Sequence, residues 1–147
     1  MPAGRYDMAS YSVTSAINTL LENNVLRWVA LVLLTCPYWT SGIAKLTAFS
    51  DAMAETAGLG LPAPMLITAL IILVQLLGSL SLIIGRFVWL GAGALGVFTF
   101  LATLIAHNFW NAPPEDTIRQ FITFTEHMGL IGGLMVAAIL ARMREIL

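Results

Sequence analysis

Four long apolar windows, at about residues 25–49, 62–85, 87–110 and 120–141, constrain this chain more than any other feature. A bilayer core of about 30 Å is crossed by about 20 mostly apolar helical residues, and each window is long enough. None shows the strict alternation of a lipid-facing β-strand. Helices satisfy their own backbone polar groups, which hydrocarbon demands. The pattern predicts an all-α integral membrane bundle of four transmembrane helices, running up-down-up-down. Composition supports this. Of 147 residues, 59% are apolar and 10% charged, against roughly 25% charged in soluble domains. That argues against a water-soluble enzyme or a disordered chain. A net charge of −1 offers nucleic acid no basic footprint. Cys36 is the single cysteine, which excludes an internal disulfide and a Cys-rich metal site.

Lysine and arginine set the expected orientation. Arg5, Arg27, Arg86, Arg142 and Arg144 fall on one side, Lys45 and Arg119 on the other. This bias places both termini in the cytoplasm. Residues 1–24 then form a cytoplasmic segment, lacking the apolar core of a cleavable signal and able to lie on the membrane as an amphipathic helix. Residues 25–141 are the transmembrane domain and 142–147 a short cytoplasmic tail. Ser50 is placed to cap a short helix over residues 51–57, with Gly58 ending it. Gly85–Arg86 makes a tight turn, so the second and third spans form an antiparallel hairpin. Pro114, Glu115 and Asp116 suit a first helical turn, so the fourth helix is expected to start outside the membrane.

Two sets of residues stand out within the spans. Small pairs, Ala92 with Gly96 and Gly129 with Gly133, allow close helix packing. Polar residues are costlier, since a lysine or acid at a span centre costs roughly 2.5–3.5 kcal/mol on insertion scales. They cluster toward the outer half: Tyr38, Trp39, Ser41 and Lys45 on the first span, Gln75 and Ser79 at mid-depth, His107 and Trp110 after the third, Glu126 and His127 on the fourth. Glu126 lies about 7 Å deep if the hydrocarbon starts near Phe121. A short side chain at that depth needs a partner, and Lys45 across the bundle is the expected one. The two histidines sit at unequal depth by residue counting, so neither haem nor another metal site is expected. No phosphate-binding loop, dinucleotide fingerprint or nucleophile elbow occurs.

The order of motifs resembles a known family. Tyr38-Trp39-Thr40-Ser41-Gly42-Ile43-Ala44-Lys45-Leu46 is followed by Gly58-Leu59-Gly60-Leu61-Pro62-Ala63-Pro64 and by Val74-Gln75-Leu76-Leu77-Gly78. His107-Asn108-Phe109-Trp110 and Gly129-Leu130-Ile131-Gly132-Gly133-Leu134 come next. Together, over residues 26–140, they resemble the DoxX family of small four-helix membrane proteins. The resemblance implies a multi-pass protein of the bacterial cytoplasmic (inner) membrane, with relatives linked to quinone-dependent oxidation. Two departures stand out. The family often carries Glu where this chain has Gln75, and Lys-Asn where it has Glu126-His127.

The reading is an accessory subunit of a quinone-linked redox system, anchoring or stabilising a membrane redox partner. An outer-leaflet cavity bounded by Tyr38, Trp39, Ser41, Lys45, Gln75, His107, Trp110, Glu126 and His127 would hold a quinone headgroup. A structural polar network that fixes helix register accounts for the same residues. The alternatives are a catalytic quinone oxidoreductase subunit and a small-solute transporter. The isolated chain leans away from being an enzyme, and a homo-oligomer remains compatible with the small-residue pairs.

Overall fold

The computed structural model describes residues 5–146, with side chains from 13 to 144. Six α-helices follow in order: α1 (Arg5–Leu21), α2 (Asn24–Thr47), α3 (Phe49–Gly58), α4 (Pro64–Ile84), α5 (Val88–Ala106) and α6 (Pro114–Ile146), with a short 3₁₀ turn at Phe109–Asn111 before the last. Four of them, α2, α4, α5 and α6, are long and apolar enough to cross a membrane.

Local chemistry explains the boundaries. Asn23 caps α2, its Oδ1 accepting from Val25 N at 2.7 Å and Leu26 N at 3.3 Å. Helix α3 does not use the expected Ser50 cap. Its N-cap is Ala48, whose side chain makes no capping bond. The break from α2 is one residue wide, and Ala48 both donates to Ala44 O and accepts from Ala52 N. The helix therefore starts two residues earlier than expected, and Ser50 lies inside its first turn, past the cap position. Helix α4 ends at Gly85 in the left-handed region (φ 78°), where a residue without Cβ is unstrained. Arg86 N returns to Ser81 O, and the Ser81 hydroxyl is within 2.6 Å of Arg86 O. These bonds make the predicted tight hairpin. Helix α6 opens at Pro114 with Glu115 and Asp116 in its first turn, as the dipole favours. Its 33 residues span about 50 Å, well beyond the hydrocarbon core.

The spans pack in the order α2, α4, α5, α6, each principally on its chain neighbour, with α3 folded onto α4. The apolar core is Tyr38, Leu82, Val88, Ala92, Leu95 and Leu134. The outside is apolar too: Leu33, Leu77, Trp89, Val97, Phe100 and Met135 are exposed. Polar side chains go inward, with Thr35, Thr68, Gln75, Ser79, Thr99 and Thr103 buried. This inversion suits a chain solvated by lipid.

Close helix approach falls on different glycines from those expected. A Cβ on Gly91 would stand 2.7 Å from Ser81 Oγ and 2.9 Å from Gly78 O, so α4 and α5 meet there backbone to backbone. Gly78 fits against Leu95, and Gly42 against Leu76. Of the two predicted pairs, Ala92 is buried and Gly133 abuts Leu34, while Gly96 and Gly129 face open space. A four-residue spacing places two positions nearly in line. Where helices diverge, only one of them meets the neighbour.

Candidate functional site

Most of the polar residues singled out in the sequence converge on one cavity, in the half of the bundle that carries α3 and the α5–α6 connection. Its volume is about 440 Å³, within the roughly 300–1,000 Å³ of small-molecule sites. Tyr38, Ser41 and Lys45 reach it from α2, Gln75 from α4, Thr99 from α5, and His107 and His127 from the far side. Glu55, Thr56, Leu59 and Leu61 cover its mouth from α3 and the following loop.

Hydrogen positions follow from counting donors. Thr103 Oγ1 lies 2.6 Å from Thr99 O and 2.7 Å from His127 Nδ1. A hydroxyl has one hydrogen, and the carbonyl can only accept, so the hydroxyl donates to Thr99 O. His127 Nδ1–H therefore donates to Thr103, which leaves Nε2 with a lone pair. The same count applies to Thr99, which donates to Leu95 O at 2.7 Å and accepts from the Tyr38 hydroxyl at 2.7 Å. His107 Nδ1 pairs with Gln120 Oε1 at 2.9 Å, and the two imidazoles meet edge to face with centroids 5.0 Å apart.

Gln75 is the exception to this complete pairing. It is 4% exposed, its Nε2 donates to Ser41 Oγ at 3.2 Å, and its Oε1 has no partner among the described residues. A buried acceptor left unpaired costs roughly 1–3 kcal/mol. The Gln75 side chain belongs to the cavity lining, with this oxygen packed just behind its surface.

Three sequence-predicted residues are elsewhere. Glu126 is exposed on α6 and does not line the cavity. Its expected partner, Lys45, instead pairs with Glu55 at 2.5 Å. The reason is α3, which folds back over the cavity and brings its own acid to the lysine. Trp39 turns along its own helix, its indole donating to Val32 O at 3.3 Å. Trp110 is 53% exposed and stacks edge to face on Phe109 and Phe124, outside the cavity. The sequence reading missed Glu55, Thr99 and Thr103. A Thr–Thr pair at i, i+4 on an otherwise apolar span was the available signal.

The ion pair at the mouth gives a measurable expectation. With side chains 23% and 62% exposed, Lys45 and Glu55 should couple by about 0.2–1 kcal/mol in a double-mutant cycle of unfolding. The Lys45–Glu126 cycle should be additive. Coupling in the second cycle and not the first would contradict this geometry.

The DoxX family model matches residues 25–108, which is more than half the chain. The chain belongs to the DoxX family. It is also similar to the inner membrane protein YphA of Escherichia coli (strain K12), 22% identical over 115 residues, covering 78% of this chain and 82% of that one. No solved structure matches it. Family, relative and four candidate spans together make this DoxX protein a multi-pass protein of the inner membrane. The family match covers α2 to α5 and stops at Asn108. The cavity's α6 wall, with His127, lies beyond it.

Proposed function

We propose that this DoxX protein is an accessory subunit of a quinone-linked redox system in the inner membrane. In this reading the bundle anchors or stabilises a membrane redox partner, and its polar cavity holds a quinone or quinol headgroup. One observation carries the ligand: a 440 Å³ cavity lined by Gln75, whose buried Oε1 has no partner among the described residues. A ring hydroxyl would supply the missing donor once the Gln75 amide turns toward the cavity. Lys45 and the Ser41 hydroxyl are placed to donate to ring oxygens, and the Nε2 lone pairs of the histidines to accept. The residues present therefore fit such a headgroup. A bound quinone would supply two-electron redox chemistry. The chain's own residues would orient the ring and keep lipid from its oxygens. A catalytic role finds support in one feature, the His127 Nε2 lone pair, which can take a proton at the cavity wall.

The test is ligand-dependent stability of the purified protein in nanodiscs. A short-chain quinol should raise the melting temperature of wild type and fail to do so for Lys45→Met or His127→Leu. Equal stabilisation of all three, or none in any, would leave the cavity residues as a structural network alone. For the partner, a dehydrogenase or oxidase should co-purify in mild detergent.

Both termini are placed in the cytoplasm by this proposal, on the five-to-two excess of Arg and Lys on that side. The cavity then opens toward the outer leaflet. Reporter fusions after Arg86 and after Asn111 should read opposite sides, cytoplasmic and periplasmic respectively. The reverse assignment would turn the cavity inward.

A further inference from the structure

A second depression lies on the lipid side of α4 and α5, with a volume of about 540 Å³ and no ionisable residue in its lining. Four side chains, Ile67, Ile71, Phe98 and Leu101, line both it and the polar cavity. They form the common wall between the two. From that wall the groove continues past Gly93, Ala94 and Val97 to Trp89, near the opposite end of α5. Leu101 to Trp89 is 12 residues, about 18 Å along the helix. The groove therefore starts at the polar cavity and runs along the membrane normal, away from the half that holds it.

The α4–α5 contact differs along its length. At the hairpin end, Gly91 and Gly78 bring the backbones together. At the cavity end the division is made by side chains, not backbone. Side chains change rotamer quickly.

We propose that the ligand of the polar cavity is an amphipathic lipid that enters sideways between α4 and α5, and that its apolar tail lies in this groove. The inference rests on the headgroup reading above and adds the ligand's tail and its route. A polar ring needs the unpartnered Gln75 oxygen and the lysine at the mouth. A linear hydrocarbon needs an apolar channel continuous with that site, and this one meets it at four residues. The mouth under α3 is crossed by the Lys45–Glu55 ion pair, which is a poor path for an alkyl chain. The lateral wall is wholly apolar.

Gly93 supplies the test. It lines the groove and not the polar cavity, and nothing lies within 4 Å of a Cβ built there. Gly93→Phe should fill the groove without disturbing the fold. Gly96, half-buried, also has nothing within 4 Å of a Cβ but lines neither space, so Gly96→Phe is the control. Binding of a tail-free benzoquinol and of the same ring carrying a decyl chain is measured in nanodiscs for wild type and both variants. Partitioning into lipid is common to all three proteins and cancels in the comparison. Gly93→Phe should weaken the decyl compound on the order of tenfold, a change of about 1.4 kcal/mol, and leave the tail-free ring unchanged. Gly96→Phe should change neither. Undiminished decyl binding in Gly93→Phe, or an equal loss in both variants, would overturn the groove. A tail-free ring that fails on wild type would overturn the headgroup reading, and the decyl comparison would still decide the groove.

Discussion

Replacing Gln75 by leucine is expected to stabilise the ligand-free protein and to abolish its response to a quinol. Two opposing effects set the sign. The substitution removes a buried acceptor with no partner, whose burial costs roughly 1–3 kcal/mol. It also removes one hydrogen bond, from Gln75 Nε2 to Ser41 Oγ at 3.2 Å, worth a net of about 1 kcal/mol. Ser41 is only half-buried and faces the cavity, so its oxygen is not stranded. Leucine also inserts more readily than a polar side chain. The balance is a gain of about 1 kcal/mol in unfolding free energy, read in mixed detergent micelles, with the quinol-dependent shift lost. A residue that fixes helix register behaves the opposite way. A loss of about 2 kcal/mol with ligand response retained would make Gln75 a packing residue.

The second large effect concerns the threonines of α5, and its content is an order rather than a size. Thr103→Val should cost about 1–3 kcal/mol, more than His127→Leu. In the first variant the imidazole remains and its Nδ1–H loses its acceptor among packed helices, which incurs the full desolvation cost. In the second the donor itself is gone, and Thr103 keeps its own bond to Thr99 O at 2.6 Å. Thr99→Val should likewise cost more than Tyr38→Phe. The Tyr38 hydroxyl donates to Thr99, whereas Thr99 has Leu95 O for its hydrogen. Thr103→Ser should restore most of the loss, since serine keeps the accepting oxygen. Equal costs within each pair, or the reverse order, would mean that the hydrogens run the other way.

Apolar run length made the architecture legible in the sequence. Twenty apolar residues have few alternatives to a membrane helix, and α4 and α5 fall within two residues of the second window's and four of the third window's limits. Gly85 and Pro114 marked a turn and a start because each has a backbone property that no neighbour can supply. The site was legible where depth alone decided it. Tyr38, Ser41, Lys45, Gln75, His107 and His127 fall in the same half of the bundle and line one cavity, but residue counting set the two histidines at unequal depth, whereas their rings stand 5.0 Å apart. It was illegible where azimuth or a returning segment decided. Glu126 precedes His127 by one residue, about 100° around the helix, and that rotation takes it out to the exposed face. Lys45 found Glu55 because α3 folds back, which no spacing rule within a span reveals. Trp39 and Trp110 were grouped with the cavity by depth, and their rings point along the helix and into an aromatic corner instead. Gly96 and Gly129 had the right neighbours in sequence and none in space.

The buried hydroxyls also restrict which substitutions this bundle can accept. Thr35, Thr56, Ser79, Thr99 and Thr103 each turn their hydrogen back to a carbonyl one turn earlier on their own helix. Each then presents only lone pairs to the neighbouring helix. An interior lined this way is a one-way surface: it admits side chains that give a hydrogen and repels those that offer only electrons. Position 127 can exchange a histidine for an asparagine, whose amide also gives, but not for an ionised carboxylate of similar size. Lineages of this protein should therefore drift freely in shape at such positions while conserving the direction of the proton.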